Sequence, residues 1–359
     1  MNKLLMVSVV LFLFSSLLPA GLPQNVDDEV KNPISEQHDR LVQEQGRTSW
    51  KAQLDYTMGR IDPLTGEKSP KYIAILGEST SQMILGGRFL LTRSRTQGKK
   101  SAEYQILGYR SDLNQYFFVG LESLRTPFGY RSGRYVDDDR ILKDPSGYVT
   151  EITRFDSEKK TAVSKVYLGE SKTPFFVLNT EPKKGKVSNL LTDLLAAKPI
   201  PKVISTSDKL EEPAENYSEE HQLLNNFAGE LVAESEEVSP RAGRVICDGR
   251  FLALSKLSDA KEKRVTSLTF IGFDSSRGAF QMFVFHDESP NPEYYEGDFD
   301  GVTLTFRNPF AGQGKADQPV LIYHFSPRGA GFTESDFRED DEEKRQPVLF
   351  KQSRNFRRK

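Results

Sequence analysis

Apolar and polar residues alternate with period two in several stretches of this chain, and that pattern predicts strands. Val302 to Arg307 reads Val-Thr-Leu-Thr-Phe-Arg, which gives one dry face and one wet face. Lys71 to Leu76, Thr266 to Gly272, Phe280 to His286 and Val320 to Phe325 are further strand candidates. Clusters of Gly, Asn, Asp and Pro separate them at short intervals, as in sandwiches and barrels. Helical spacing is confined to the stretches before Gly46 and Gly229 and to Val187–Lys198. In the last of these, Leu190, Leu191, Leu194 and Leu195 share one face, and Pro199 stops the run.

The pattern occurs twice. Gly87-Arg88-Phe89-Leu90 recurs 162 residues on as Gly249-Arg250-Phe251-Leu252. Four more anchors recur at 164 residues. Gly108-Tyr109 returns as Gly272-Phe273, and Tyr116-Phe117-Phe118 as Phe280-Gln281-Met282. Gly133-Arg134-Tyr135 returns as Gly297-Asp298-Phe299, and Asp144-Pro145 as Asn308-Pro309. Upstream, Glu36-Gln37-His38 with Leu41 and Gly46 matches Glu219-Glu220-His221 with Leu224 and Gly229. The second copy is shorter between its first Gly and its Gly-Arg-Phe motif by about twenty residues, roughly two short strands with their turn. A less complete or more open second barrel is the expectation.

A chain of 359 residues exceeds what a single core usually supports, so two domains are expected. Residues 1–20 read as a signal peptide, with Lys3 before the apolar run Leu4–Leu18 and Ala20 at a cleavage site. Residues 21–35 form a disordered N-terminal segment. The first barrel is placed at 36–180, a linker with a short helix at 181–216, and the second, shortened barrel at 217–359. A secreted or periplasmic location follows from the signal peptide, and no later stretch is long enough to span a membrane.

The order His-x-x-Leu, Gly, Gly-Arg-Phe-Leu, Gly-Tyr, aromatic strand and Gly-x-Tyr resembles the DUF1579 family. In the first copy the resemblance rests on His38, Leu41, Gly46, Leu85, Gly86, Gly87, Arg88, Phe89, Leu90, Gly108, Tyr109 and Gly133. In the second it rests on His221, Leu224, Gly229, Gly249, Arg250, Phe251, Leu252, Gly272, Phe273 and Gly297. The resemblance implies an all-β chain of two tandem lipocalin-like antiparallel β-barrels, each preceded by a short helix. That family has no established activity, so the resemblance bears on fold alone. This chain departs from the family at Trp50, four residues after Gly46, and at Arg110 after Gly108-Tyr109.

Composition narrows the chemistry. A net charge of −2 supplies no global basic field, so nucleic acid is not an expected partner. The single cysteine, Cys247, excludes an intramolecular disulfide and reads as a buried strand thiol. His-Glu-x-x-His, Gly-x-Ser-x-Gly, phosphate-binding glycine loops and Cys-x-x-Cys are all missing, which removes the main motif-bearing enzyme classes. No catalytic residue, metal site or cofactor is implied. Among four histidines, His38 and His221 are equivalent and read as structural, and His324 is the one candidate haem ligand.

Small barrels can hold one ligand, and aromatic inner faces would supply dispersion. The candidate ligand-binding residues are therefore Arg88, Tyr109 and Phe118 in the first copy and Arg250, Phe273 and Phe283 in the second. The leading expectation is an exported, non-catalytic binding protein for a small hydrophobic or amphipathic ligand. The competing ones are a structural or protein-interaction module with filled barrels, and a lipocalin-like enzyme or haem binder.

Overall fold

A computed structural model describes residues 35–55, 57, 71–99, 102–121, 128–187, 189–195, 219–233, 239–258, 264–309, 319–325, 331–338 and 348–352. The signal segment and most of the proposed linker lie outside them. The chain divides into two units, one ending at Leu190 and the other beginning at Leu191.

The first unit opens with helix α1, Glu36–Gln43. Ser35 and His38 cap it reciprocally, the His38 ring reaching back to the Ser35 amide at 3.1 Å. Ten strands follow: β1 (Gly46–Asp55), β2 (Tyr72–Ile84), β3 (Phe89–Thr96), β4 (Glu103–Arg110), β5 (Gln115–Leu121), β6 (Gly129–Val136), β7 (Asp139–Lys143), β8 (Val149–Asp156), β9 (Thr161–Leu168) and β10 (Phe176–Pro182). Each pairs antiparallel with the next, and β10 pairs with β1, so the ladder closes into a barrel. Closure removes both sheet edges and divides every strand into lumen-facing and outward-facing residues.

Helix α2, Leu190–Leu195, falls within the expected helical stretch, and its Leu190 and Leu194 are buried. The second unit begins with helix α3 (Glu219–Leu223) and a 3-10 turn, Leu224–Phe227. Seven strands then form a curled antiparallel sheet: β11 (Gly229–Ala233), β12 (Arg241–Ile246), β13 (Phe251–Leu257), β14 (Val265–Asp274), β15 (Ala279–His286), β16 (Glu293–Phe299) and β17 (Thr303–Arg307). Strands β18 (Pro319–Phe325), β19 (Gly331–Arg338) and β20 (Val348–Gln352) continue the ladder, and β20 pairs with β11 over three residues.

Among the described residues the shorter second copy has not lost a pair of strands. Strands β11 and β12 have 5 and 6 residues where β1 and β2 have 10 and 13. In both units the described residues between helix and motif form one strand pair, and there the difference lies in strand length.

The Gly-Arg-Phe-Leu recurrence encodes a turn. Leu85, Gly86 and Gly87 have φ of 49°, 67° and 86°, and Cys247, Asp248 and Gly249 have 52°, 55° and 92°. Three consecutive left-handed residues reverse the chain before each arginine. Cys247 is thus a buried turn residue rather than a strand residue. Leu90 and Leu252 face inward, while Phe89 and Phe251 face outward and are fully buried.

Gly133 in β6 has a definite steric reason. A Cβ there would lie 1.9 Å from the Ile141 carbonyl oxygen of β7, a backbone atom that cannot yield. Gly129 of the same strand has nothing within 4 Å of such a Cβ. Gly133→Ala is therefore expected to destabilise the first unit by about 1–3 kcal/mol, and Gly129→Ala to stay within about 1 kcal/mol of wild type. Urea unfolding of the two variants side by side checks this; equal midpoints would contradict it.

Candidate functional site

The interiors of the two ladders differ in how their apolar residues are grouped. In the second unit one continuous apolar cluster shares the inner face with the Arg241–Glu334 ion pair and Thr269. Leu252, Leu254, Ile271, Phe280, Met282, Leu304 and Phe306 all belong to it, each 1% exposed or less. In the first unit the apolar inner residues split into two groups. One, with Leu90, Leu107, Tyr109, Tyr116 and Leu142, lies under α1 and includes its Leu41. The other gathers Leu54, Val149, Val166 and Phe175, with Ile73, Ile75, Leu168 and Phe176 packed on it.

Between these groups the lumen is lined by a polar belt. Register places Thr48, Ser79, Ser94 and Glu103 in one cross-strand row, and Ser81, Thr92, Gln105 and Gly120 in the next. Glu151, Thr153 and Ser164 bring the belt round the opposite wall. The hydroxyls pair across strands: Ser79 with Ser94 at 2.8 Å, Ser81 with Thr92 at 2.9 Å, and Thr153 with Ser164 at 2.9 Å. The hydroxyl side chains are small, while the Trp50 ring lies beside them on the inner face over Gly77. A barrel of about eight strands is just filled by its own side chains, so ten strands lined with Ser, Thr and Gly leave room. Ser79, Ser81, Thr92 and Gln105 all point inward yet remain partly accessible.

One ion pair crosses the belt. Arg131 of β6 donates to the Glu151 carboxylate of β8, and the two side chains are 16% and 14% exposed. The Arg131 guanidinium also lies 5.2 Å from the centre of the Phe118 ring. Arg140, farther round the barrel, donates to Glu44 at the end of α1 and so ties helix to wall. Tyr116 adds a second tie, its hydroxyl donating to Gln37 at 2.8 Å. Burial raises the pKa of that phenol well above its ordinary value, so it stays a neutral donor.

At the α1 end a small pocket of about 330 Å³ opens among Gln37, Arg40, Tyr109, Asn114, Tyr116, Arg134, Tyr135 and Asp137. Tyr109 donates to Asn114 at 2.7 Å, and Arg40 lies 4.5 Å above the Tyr135 ring. This volume is near the lower end of ligand pockets.

The sequence-predicted residues fall in different places. Tyr109 lines the pocket and Phe118 lies in the lumen beneath Arg131. Arg88 and Arg250 end their turns, 9% and 1% exposed, and both have partners within the fold. Phe273 packs into the filled second interior, edge-on to His221. Phe283 faces outward, since its neighbours Met282 and Val284 are the inner residues. His324 also faces outward, exposed and bonded to Thr303 at 3.1 Å. The belt itself escaped sequence reading. Arg131 and Glu151 stand twenty residues apart, and only the register of β6, β7 and β8 joins them.

The rings of His38 and His221 sit alike in the two units. His38 meets Tyr109 at 5.8 Å and 85°, and His221 meets Phe273 at 5.6 Å and 88°. Tyr109–Tyr116 and Phe273–Phe280 then stack at 5.1 Å and 4.9 Å.

No protein-family model matches the chain, and no curated protein does. Among solved structures, two mutants of the vaccine antigen transferrin binding protein B from Haemophilus parasuis Hp5 are similar at 11% and 10% identity. Each alignment covers 85% of this chain and 74% of that one, with TM-scores of 0.19 and 0.20. Scores that low do not establish a shared fold.

Two outcomes follow from this geometry. Removing one partner of the belt ion pair leaves a half-buried charge alone, so Arg131→Met and Glu151→Leu should each cost about 1–3 kcal/mol. The double variant should cost less than the sum of the two, as a double-mutant cycle in urea would measure; additive losses would show the pair to be uncoupled. Burial and the Arg88 charge hold the His38 pKa below its usual 6.5. The unfolded chain therefore takes up the proton first, and first-unit stability should fall as pH drops below about 6.5. His38→Phe should flatten that slope.

Proposed function

We propose that this chain is an exported, non-catalytic binding protein that holds a small amphipathic ligand in the lumen of its first barrel. On this reading the two units are diverged copies of one lipocalin-like barrel of the DUF1579 kind. The matching turns before Arg88 and Arg250 and the matching His-aromatic contacts support the common origin. The N-terminal apolar run with Lys3 supports export.

One observation carries the binding reading: a polar belt separates two apolar groups inside the first barrel. Lining this wall with the cross-strand hydroxyl pairs beside the Arg131–Glu151 pair sacrifices apolar burial. A ligand with a polar head at Arg131, Glu151 and Gln105 and an apolar body against Ile73, Ile75, Val166 and Phe176 uses both kinds of wall. Arg131 and Glu151 neutralise each other, so an amphipathic molecule fits better than a strongly charged one. The second unit fits the alternative of a filled, structural barrel, since Phe280, Met282 and Phe306 occupy the space a ligand would need.

Native mass spectrometry of freshly purified protein tests the assignment, and we expect a retained or added small molecule. Ser79→Leu with Ser94→Leu would fill the lumen and should abolish retention while the fold, followed by circular dichroism, persists. A bare polypeptide mass combined with no uptake of a fluorescent fatty-acid probe would refute it.

A further inference from the structure

On the outer face of β1, β2 and β3 lies a groove of about 820 Å³. Strand register builds it. Arg47, Thr80 and Arg93 form one cross-strand row, and Ser49, Glu78 and Arg95 form the next. Neighbouring strands lie about 4.8 Å apart, so the cations on β1 and β3 flank β2 across about 10 Å. Lys99 and Lys186 extend the lining. Glu78, the one carboxylate among the lining residues, is matched by Lys183, which pulls its pKa down, and Arg47 stands 3.8 Å from it. Arg95 and Lys186 are exposed. The fold does not demand this charge. Aligned on Phe89 and Phe251, the positions of Arg93 and Arg95 hold Ser255 and Leu257 in the second unit.

We infer that this groove binds an extended acidic peptide segment of a partner protein. Two cationic flanks with a floor one strand wide match an extended chain, whose successive side chains point to alternate sides. Leu76, 47% exposed in the floor, offers an apolar residue of that segment a surface to cover. A nucleic-acid strand draws much of its affinity from aromatic platforms. The single tryptophan, Trp50, instead lays its ring against Gly77, where a Cβ would come within 2.1 Å of it. A sulfated polysaccharide would use the cations but leave Leu76 unused.

Trp50 borders the groove but shares the inner face with Thr48 and Gly77, so binding is better read by calorimetry than by its fluorescence. Titrating the full-length protein with a synthetic peptide of Glu and Ser around one Leu should give a saturable calorimetric isotherm that weakens with added salt. Arg95→Glu with Lys186→Glu, both exposed and so compatible with folding, should weaken binding by about tenfold or more. Leu76→Ser should weaken it severalfold, and Lys165→Glu on β9 should leave it unchanged. The inference is overturned by absence of saturable binding, or by wild-type affinity in the double variant. It is equally overturned if a sulfated oligosaccharide or single-stranded DNA binds more tightly than the peptide and ignores Leu76→Ser.

Discussion

Closure of the first ladder by the β1–β10 pairing is the constraint on which the rest depends. Seven residue pairs, from Thr48–Pro182 to Leu54–Phe176, join the first strand to the last. Once they form, no strand has a free edge, and each residue's side of the wall is set by its parity. A slip of one residue would turn Ser79, Arg131 and Glu151 outward and bring Glu78, Tyr130 and Ile152 into the lumen. The cross-strand hydroxyl pairs and the Arg131–Glu151 pair oppose such a slip, because each exists in one register only.

The two units show how one strand order can serve two ends. Both begin with a helix whose histidine and leucine are buried, and both turn through three left-handed residues into a Phe-Leu strand. What differs is the volume and polarity of the inward residues. Thr92, Ser94 and Gln105 line the first lumen, where the second has Leu254, Thr269 and Ile271 beside Met282 and Phe280. Filling with large apolar side chains gains burial and dispersion at every contact. Hydroxyl pairs inside the first barrel gain much less and leave space. In the proposed division of labour, the filled unit is structural and the belted one receives a ligand.

The lumen and the outer groove are opposite faces of the same three strands. Inward-facing Ser79, Ser81, Thr92 and Ser94 serve the belt; outward-facing Arg47, Arg93 and Arg95 border the groove. Gly77 is also inward-facing, its missing side chain making room for the Trp50 ring on the lumen side. A small ligand inside and an acidic segment outside would thus be read by alternate residues of β1, β2 and β3.

Much of this was legible in the chain. Period-two alternation located β2, β14, β15, β17 and β18, and helical spacing located α1, α2 and α3. The paired motifs marked two units of one order. These are local properties: alternation, turn-forming glycines and capping side chains act within a few residues of one another, so sequence by itself determined them. The site was not local. Arg131 and Glu151, Arg140 and Glu44, or Arg47 and Arg93 are meaningless as pairs until the strands between them are in register and the ladder shuts. Whether Phe118 or Phe283 faced inward, and whether the lumen was filled or belted, likewise rested on parity around a closed wall. Tertiary structure alone decided these points, because hydrogen bonds between distant strands choose the register and the register chooses which side chains meet.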